Sequence, residues 1–514
     1  MSSPAELSLA ENASSDRSRW IALYVLCVGM LMIVLDQTIV NVALPSIQDD
    51  LGFSQSSLAW VVNAYLIAFG GLLLLSGRIG DLIGRKSVFM AGLFVFIVAS
   101  ALCGLAQTQE MLIGARFLQG IGGALTSAVI LGIVVTMFPE PRDQAKAIGV
   151  YAFVASAGAS LGLLLGGVLT EAINWHWIFF VNVPIGVATA LAAIRLVDRD
   201  KGIGLSQGAD VIGAILVTSS LMLGVYTIVV NAADYGWGSV QTLGLGAVSL
   251  ALGAAFVARQ ARAAKPLIPL RIFRSRATSG ANLVQLLMVA GMFGVFFLGS
   301  LYMERVLGYG PLEIGLAFLP VALGIGILSL GFSERLNMRF GAKATLVPGL
   351  VLMMAGIALF SRAPVDAGYL IDIFPSMLLL GIGAGLSFPS LMTLSMAAAT
   401  PEDSGLASGL VNTTLQVGGA LGLAVLATLS TTRSDELTAR GEPLAEALTS
   451  GYHLAFYIGV GLIAAAIAVA VTVLPSGVVG MEQPEEDGEA EAPTPTPAPP
   501  LSEPEPEPVY SEVA

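Results

Sequence analysis

Charge is what this sequence has least of: only 12% of its 514 residues are Asp, Glu, Lys or Arg, about half the share in an ordinary soluble domain. Cysteine is nearly absent as well. Cys27 and Cys103 both fall inside apolar runs, which excludes a disulfide-stapled ectodomain and shows no metal-ligand spacing. The only two histidines, His176 and His453, lie at the edges of apolar runs, so a buried histidine relay is not expected. No stretch between the runs is long enough for a soluble module, so an ATP-hydrolysing or receptor domain within the chain is excluded. The nearest approach to a phosphate-binding loop, GDLIGRKS at Gly80 to Ser87, has Arg85 interrupting the Gly-Lys step. A cleavable leader is not expected either, because a polar, mixed-charge start leads straight into a full-length apolar run.

Apolar residues make up 55% of the chain. They fall in runs of about 20 residues without the alternation of barrel strands, which predicts transmembrane helices that satisfy their own backbone hydrogen bonds. The runs lie near 20–44, 57–76, 87–106, 111–138, 145–170 and 177–197, then 210–230 and 239–258, then 279–303, 311–331, 343–361, 368–396, 404–430 and 452–474. The predicted fold is an all-α integral membrane protein of fourteen spans. Its expected parts are a disordered tail over 1–19, a six-helix bundle over 20–197, two additional helices and a basic connector over 198–278, a second six-helix bundle over 279–475 and a disordered tail over 476–514.

Basic residues predict the orientation, because short cytoplasmic loops collect Lys and Arg. With the N-terminus inside, 19 of the 24 fall in cytoplasmic segments, while Arg305, Arg362, Arg433 and Arg440 fall outside and Arg116 lies within a span. The net charge of −12 is mostly a property of the end of the chain, where residues 481–514 hold ten acids, nine prolines and no Lys or Arg. Such a composition does not bury enough apolar surface to offset its ordering entropy.

An internal repeat points to two related halves: GRIGDLIGRK at Gly77 to Lys86 aligns with ERLNMRFGAK at Glu334 to Lys343. Arg78, Gly84 and Lys86 match Arg335, Gly341 and Lys343, while Met338 replaces the acid Asp81. The first copy strongly resembles the loop signature of the major facilitator superfamily. Four more stretches are similar to its fourteen-helix drug:proton antiporter branch: LDQTIVNVALP (Leu35 to Pro45), WVVNAY (Trp60 to Tyr65), RFLQGIGG (Arg116 to Gly123) and WHWIFFVNVPIG (Trp175 to Gly186). The resemblance implies the major facilitator fold, with a substrate site between the halves, and a gating loop made of Gly77, Arg78, Asp81, Gly84, Arg85 and Lys86. It implies that Asp81 meets Arg85 or a helix N-terminus of the other half. The fifth span resembles the antiporter motif but has Leu163 at its usual proline. Its glycines Gly158, Gly162 and Gly166, with Gly167 beside them, make a smooth face for close helix packing.

Asp36 and Arg116 are the sharpest functional candidates, since a charge near a helix centre costs on the order of 2.5 to 3.5 kcal/mol on insertion scales. At about 1.5 Å per residue they lie at similar depths, roughly 12 and 8 Å from the outer ends of their helices, so they can pair. The family resemblance implies a role for the matching acid and arginine in proton coupling. Gln37, Asn41, Met292, Phe296 and Glu304 are candidate cavity residues, the amides as polar extensions of Asp36 and the Met and Phe as an adaptable apolar wall. The expected activity is proton-coupled export of small hydrophobic or cationic compounds; the alternative is a facilitator or symporter specific for a metabolite or lipid. The expected partners are substrate, protons and the lipid bilayer, with the chain acting as a monomer in the plasma membrane. No enzyme activity, nucleic acid, metal or cofactor is expected.

Overall fold

The computed structural model describes residues 4–202, 204, 208–329, 332–396 and 404–475; the expected tail over 476–514 lies outside the described residues. The first half comprises α1 (Pro4–Leu51), α2 (Gln55–Ile83), α3 (Arg85–Gly104), α4 (Gln109–Met137), α5 (Pro141–Ala172), the short α6 (Trp177–Phe180) and α7 (Asn182–Leu196). An inserted hairpin follows: α8 (Val211–Tyr226), a π-helical stretch (Thr227–Asn231), α9 (Ala232–Tyr235) and α10 (Val240–Arg262). A 3-10 turn (Leu270–Arg274) leads into the second half, made of α11 (Arg276–Arg305), α12 (Pro311–Ala317), α13 (Leu319–Ser329), α14 (Phe332–Phe340), α15 (Ala342–Phe360), α16 (Phe374–Met396), α17 (Ser404–Ala439) and α18 (Leu444–Val473). Thirteen helical segments among the described residues are long and apolar enough to cross a bilayer. The fourteenth expected position is occupied by α5, whose described apolar part is Leu161–Ala172. The first helix differs from expectation at its start. Its backbone runs back to Pro4, ahead of Trp20, over a stretch with no internal proline or glycine to break it.

Polar starts to these helices have a local cause. Ser54, Thr108, Asp210, Ser239 and Ser275 each accept a backbone N–H three residues on, at 3.0 to 3.2 Å. Each cap satisfies a donor that has no carbonyl partner within its helix. Small residues then let the backbones approach. A Cβ on Gly122 would sit 2.5 Å from the Phe96 amide nitrogen where α4 meets α3, and one on Gly383 would sit 2.5 Å from the Gly349 carbonyl where α16 meets α15. Lipid offers no hydrophobic drive between helices, so such close packing is what holds them.

The internal repeat is visible as a shared device. Gly84 (φ 101°) and Gly341 (φ 89°) both occupy backbone conformations that an L side chain rarely adopts, and both precede the third membrane-spanning segment of their half. Two residues on, Lys86 Nζ donates to the Ile194 and Val197 carbonyls at the end of α7. Lys343 Nζ donates to the Val471 and Leu474 carbonyls at the end of α18. A cation on the unpaired carbonyls of a helix C-terminus is favourable by roughly 0.3 to 1 kcal/mol. This end of the molecule, which carries both copies of the loop, is termed the basic end.

The halves meet along three lines: α1 with α11, α5 with α12 and α13, and α2 with α17. The hairpin covers the last of these. Thr218 of α8 lies where a Cβ on Gly71 of α2 would be, 2.5 Å away, and Thr428 of α17 donates to the Ile228 carbonyl of the π-helical stretch at 3.3 Å. The hairpin is clasped by reciprocal 2.8 Å bonds, Ser220 Oγ to the Ser249 carbonyl and Ser249 Oγ to the Ser220 carbonyl.

Candidate coupling site in the first half

Asp36 is the centre of a sealed polar cluster contributed by α1, α2, α3, α4 and α7. It is 0% exposed and Arg116 is 1% exposed. Arg116 Nη1 donates to Asp36 Oδ2 at 2.5 Å and to Gln119 Oε1 at 2.7 Å, and its Nε donates to the Val61 carbonyl at 2.9 Å. The guanidinium also stacks over the Tyr65 ring, 4.5 Å from its centroid. Asp36 Oδ1 accepts from Gln119 Nε2 at 2.7 Å and from Asn182 Nδ2 at 2.9 Å. Gln119 Nε2 is shared with Ser100 Oγ at 2.8 Å. Every partner offered to the carboxyl group is a donor, which suits a carboxylate and leaves an added proton without an acceptor. A charge pair out of water persists only when the remaining lone pairs and protons are satisfied. Here two amides do that.

Asp36 and Arg116 are therefore brought together, and Gln119, Asn182, Ser100 and Tyr65 join them. Gln37 and Asn41 share the helix of Asp36. The Asn41 amide donates to its own helix, to the Gln37 and Thr38 carbonyls at 3.3 and 3.4 Å. The cavity candidates on α11 lie apart from this cluster. Met292 is buried, and Phe296 stacks on Phe318 with ring centroids 5.3 Å apart. Glu304 sits beside Arg305, 3.6 Å away. Arg305 reaches across to Asp49 and Gln48 of α1, about twelve residues or 18 Å along that helix from Asp36. Arg305 thus forms an ion pair between the halves at the end opposite the basic end. No group of three His, Cys, Asp or Glu side chains able to hold a metal ion occurs among the described residues.

The loop candidates form a second cluster. Asp81 pairs with Arg85 at 3.1 Å. Arg85 continues to the Gly132 carbonyl and Thr136 Oγ1 of α4, both at 2.9 Å. Arg78 donates to the Gly208 carbonyl at 3.3 Å, while Gly77 and Gly80 lie against Ala128 and Val129 of α4. The N-terminus of α3 is held by Asp200, whose carboxylate accepts from the Arg85 and Lys86 amides at 2.7 and 3.1 Å. The acid at this helix end is thus Asp200, just after α7 in the segment that leads to the hairpin, and Asp81 pairs with Arg85.

The glycines of α5 lie close to α1. A Cβ on Gly158 would meet Leu31 and Val34 of α1 at 3.0 and 3.2 Å, one on Gly162 would overlap Thr38, and one on Gly166 would lie 2.6 Å from the Ile39 carbonyl. Gly167 turns to the other half, where a Cβ would lie 2.8 Å from the Pro311 carbonyl. With Leu163 in place of proline, α5 runs unbroken from Pro141 to Ala172.

Two helical halves that meet along α1–α11, α5–α12 and α2–α17, the first with a buried ion pair in its interior, are the architecture of a secondary transporter. The family model described as Major Facilitator Superfamily matches residues 26–423, and the chain belongs to that family. It is 38% identical to the puromycin resistance protein pur8 of Streptomyces alboniger over 88% of this chain and 91% of that protein. It is 37% identical to the cephamycin export protein CmcT of Amycolatopsis lactamdurans over 93% of this chain and 96% of that protein. The fold is also that of a bacterial homologue of the human lysosomal transporter Spinster in an inward-facing, unoccupied conformation. That likeness has a TM-score of 0.64 at 18% identity, covering 88% of this chain and 96% of that one.

Proposed function

We propose that this carrier exports small hydrophobic or cationic compounds of the antibiotic class by alternating access between its halves, 20–197 and 279–475, as a monomer in the plasma membrane. Inward movement of protons through Asp36 drives the export. The observation that carries the reading is the sealed Asp36–Arg116 pair, a charge cluster that lipid would exclude unless it did work. The names of the relatives supply the substrate class, since one is a puromycin resistance protein and another a cephamycin export protein. Counterflow in reconstituted vesicles, with and without an imposed pH gradient, is the test. Transport of such compounds that is indifferent to the gradient would replace proton-driven export by facilitated diffusion, and absence of their counterflow would favour a carrier specific for a metabolite or lipid.

The basic end faces the cytoplasm in this reading, as do both termini. Reporter fusions placed after Ser476 and within the 431–451 segment are expected to report inside and outside respectively. An external C-terminus overturns the orientation. Asp81 acts as a latch in this reading, holding Arg85 against α4 in one state of the cycle and releasing it in the other. Asp81→Asn is expected to lower transport several-fold at unchanged membrane insertion, because an exposed pair is worth only about 1 kcal/mol or less to the fold. Wild-type transport at normal expression would remove that role.

A further inference from the structure

The connector between the hairpin and the second half carries six basic residues and no acid over 259–276: Arg259, Arg262, Lys265, Arg271, Arg274 and Arg276. Transport through the Asp36 cluster makes no use of it. It is nevertheless pinned. Asp210, 4% exposed, accepts from Arg259 Nε at 2.5 Å and from Gln260 Nε2 at 2.8 Å, and Gln260 Oε1 accepts from the Ile268 amide at 3.1 Å. Leu267 is buried with Leu75 of α2 and Ala214 of α8. One cation and one amide are consumed in this anchoring. Beyond them, Arg262, Arg274 and Arg276 remain exposed, and between them the 3-10 turn exposes Leu270 (36%) and Phe273 (43%).

A fixed turn with exposed apolar side chains and exposed arginines before and after it in the chain, placed where two membrane helices end, suits one environment. Its apolar side chains enter the boundary of the acyl chains while the guanidinium groups meet phosphates above them. Arginine, like lysine, supplies here the positive charge near the membrane surface that attracts anionic headgroups. We propose that residues 262–276 form a binding site for anionic phospholipid headgroups, which secures the hairpin over the α2–α17 seam. The leaflet involved is the cytoplasmic one, a placement that rests on the orientation proposed above. The binding itself does not depend on it.

Because micelles have no sides, the full-length chain in neutral detergent separates the two questions. Mass spectrometry of retained lipid and thermal unfolding are measured with added phosphatidylglycerol or phosphatidylcholine, for the wild type, the triple variant R262Q/R274Q/R276Q and the charge-preserving triple variant R262K/R274K/R276K. Phosphatidylglycerol is expected to be retained and to raise the melting temperature of the wild type, and phosphatidylcholine is not. The Gln variant should require about tenfold or more lipid for the same shift, since each juxtamembrane cation contributes measurably to attraction for an anionic surface. The Lys variant should keep most of the effect. Equal retention of phosphatidylglycerol by the wild type and the Gln variant overturns the site, as does loss of the effect in the Lys variant. An equal shift from glycerol phosphate alone also overturns it, because the ligand would then be a soluble anion.

Discussion

Asp36→Asn is expected to abolish accumulation against a concentration gradient while leaving a protein that still inserts in the membrane. Asparagine has nearly the same shape but carries no exchangeable proton at neutral pH. Its amide also presents a donor where Arg116, Gln119 and Asn182 now all donate to the carboxylate. Breaking a buried ion pair by removing one partner costs about 3 to 5 kcal/mol in water-soluble proteins. Here Arg116 keeps the Val61 carbonyl and Gln119 Oε1, so the loss should fall at the lower end. With Asp36 sealed in the present arrangement, proton exchange requires rocking of the halves to open a path to it. Each proton that then moves inward yields about 2.3 kcal/mol per 100 mV of membrane potential. Substrate-induced proton release and concentrative transport in reconstituted vesicles decide the matter. Both should vanish in the variant, whereas binding of neutral compounds persists. Wild-type values of both would move coupling to another residue, with Glu304 next.

Gly162→Leu should have an effect of similar size through a different route, by preventing assembly of α1 against α5. A Cβ at position 162 would come within 1.9 Å of Thr38 Oγ1 and 3.0 Å of the Leu35 carbonyl, and leucine adds three more carbons beyond it. Thr38 has little freedom to withdraw, since its hydroxyl donates to the Val34 and Leu35 carbonyls. Overpacking a tight core costs about 1 to 3 kcal/mol and more when backbone must move. The displaced stretch also holds Asp36. The variant is expected to accumulate poorly and to melt well below the wild type. Gly114→Ala is the control, because nothing lies within 4 Å of a Cβ there. Equal stability of Gly162→Leu and the wild type in a thermal unfolding assay would show that α1 and α5 need no close contact.

Some of this site was legible in the sequence because of the solvent in which the chain folds. Bilayer thickness sets the length of an apolar run, so spans were readable one at a time, and a charge inside a run stands out, as Asp36 and Arg116 do. Neutral amides do not stand out. Gln119 lies within the quoted RFLQGIGG stretch and Asn182 within WHWIFFVNVPIG, yet an amide in a membrane helix is as readily a link between helices as part of a site. Only the fold brings Asn182 across from α7. Asp200 escaped notice for a related reason, because its partners are backbone amides 115 and 114 positions away, and backbone groups leave no trace in a sequence. Leu163 marks the opposite case. The missing proline was visible, and α5 runs from Pro141 to Ala172.

The paired loops have a bearing on how many independent switches the molecule contains. Both copies retain the bend and the lysine clamp, at Gly84 with Lys86 and at Gly341 with Lys343. Only the first has the acid, because Met338 takes its place in the second and is 63% exposed. In each half the clamp ties the start of the third span to the end of the last helix. A carrier with two electrostatic latches at one mouth would have to release both in the same step, and their barriers would add. If Asp81 is the latch proposed above, a single ion pair times the opening of that mouth, and its release rate can be tuned without disturbing the architecture of either half.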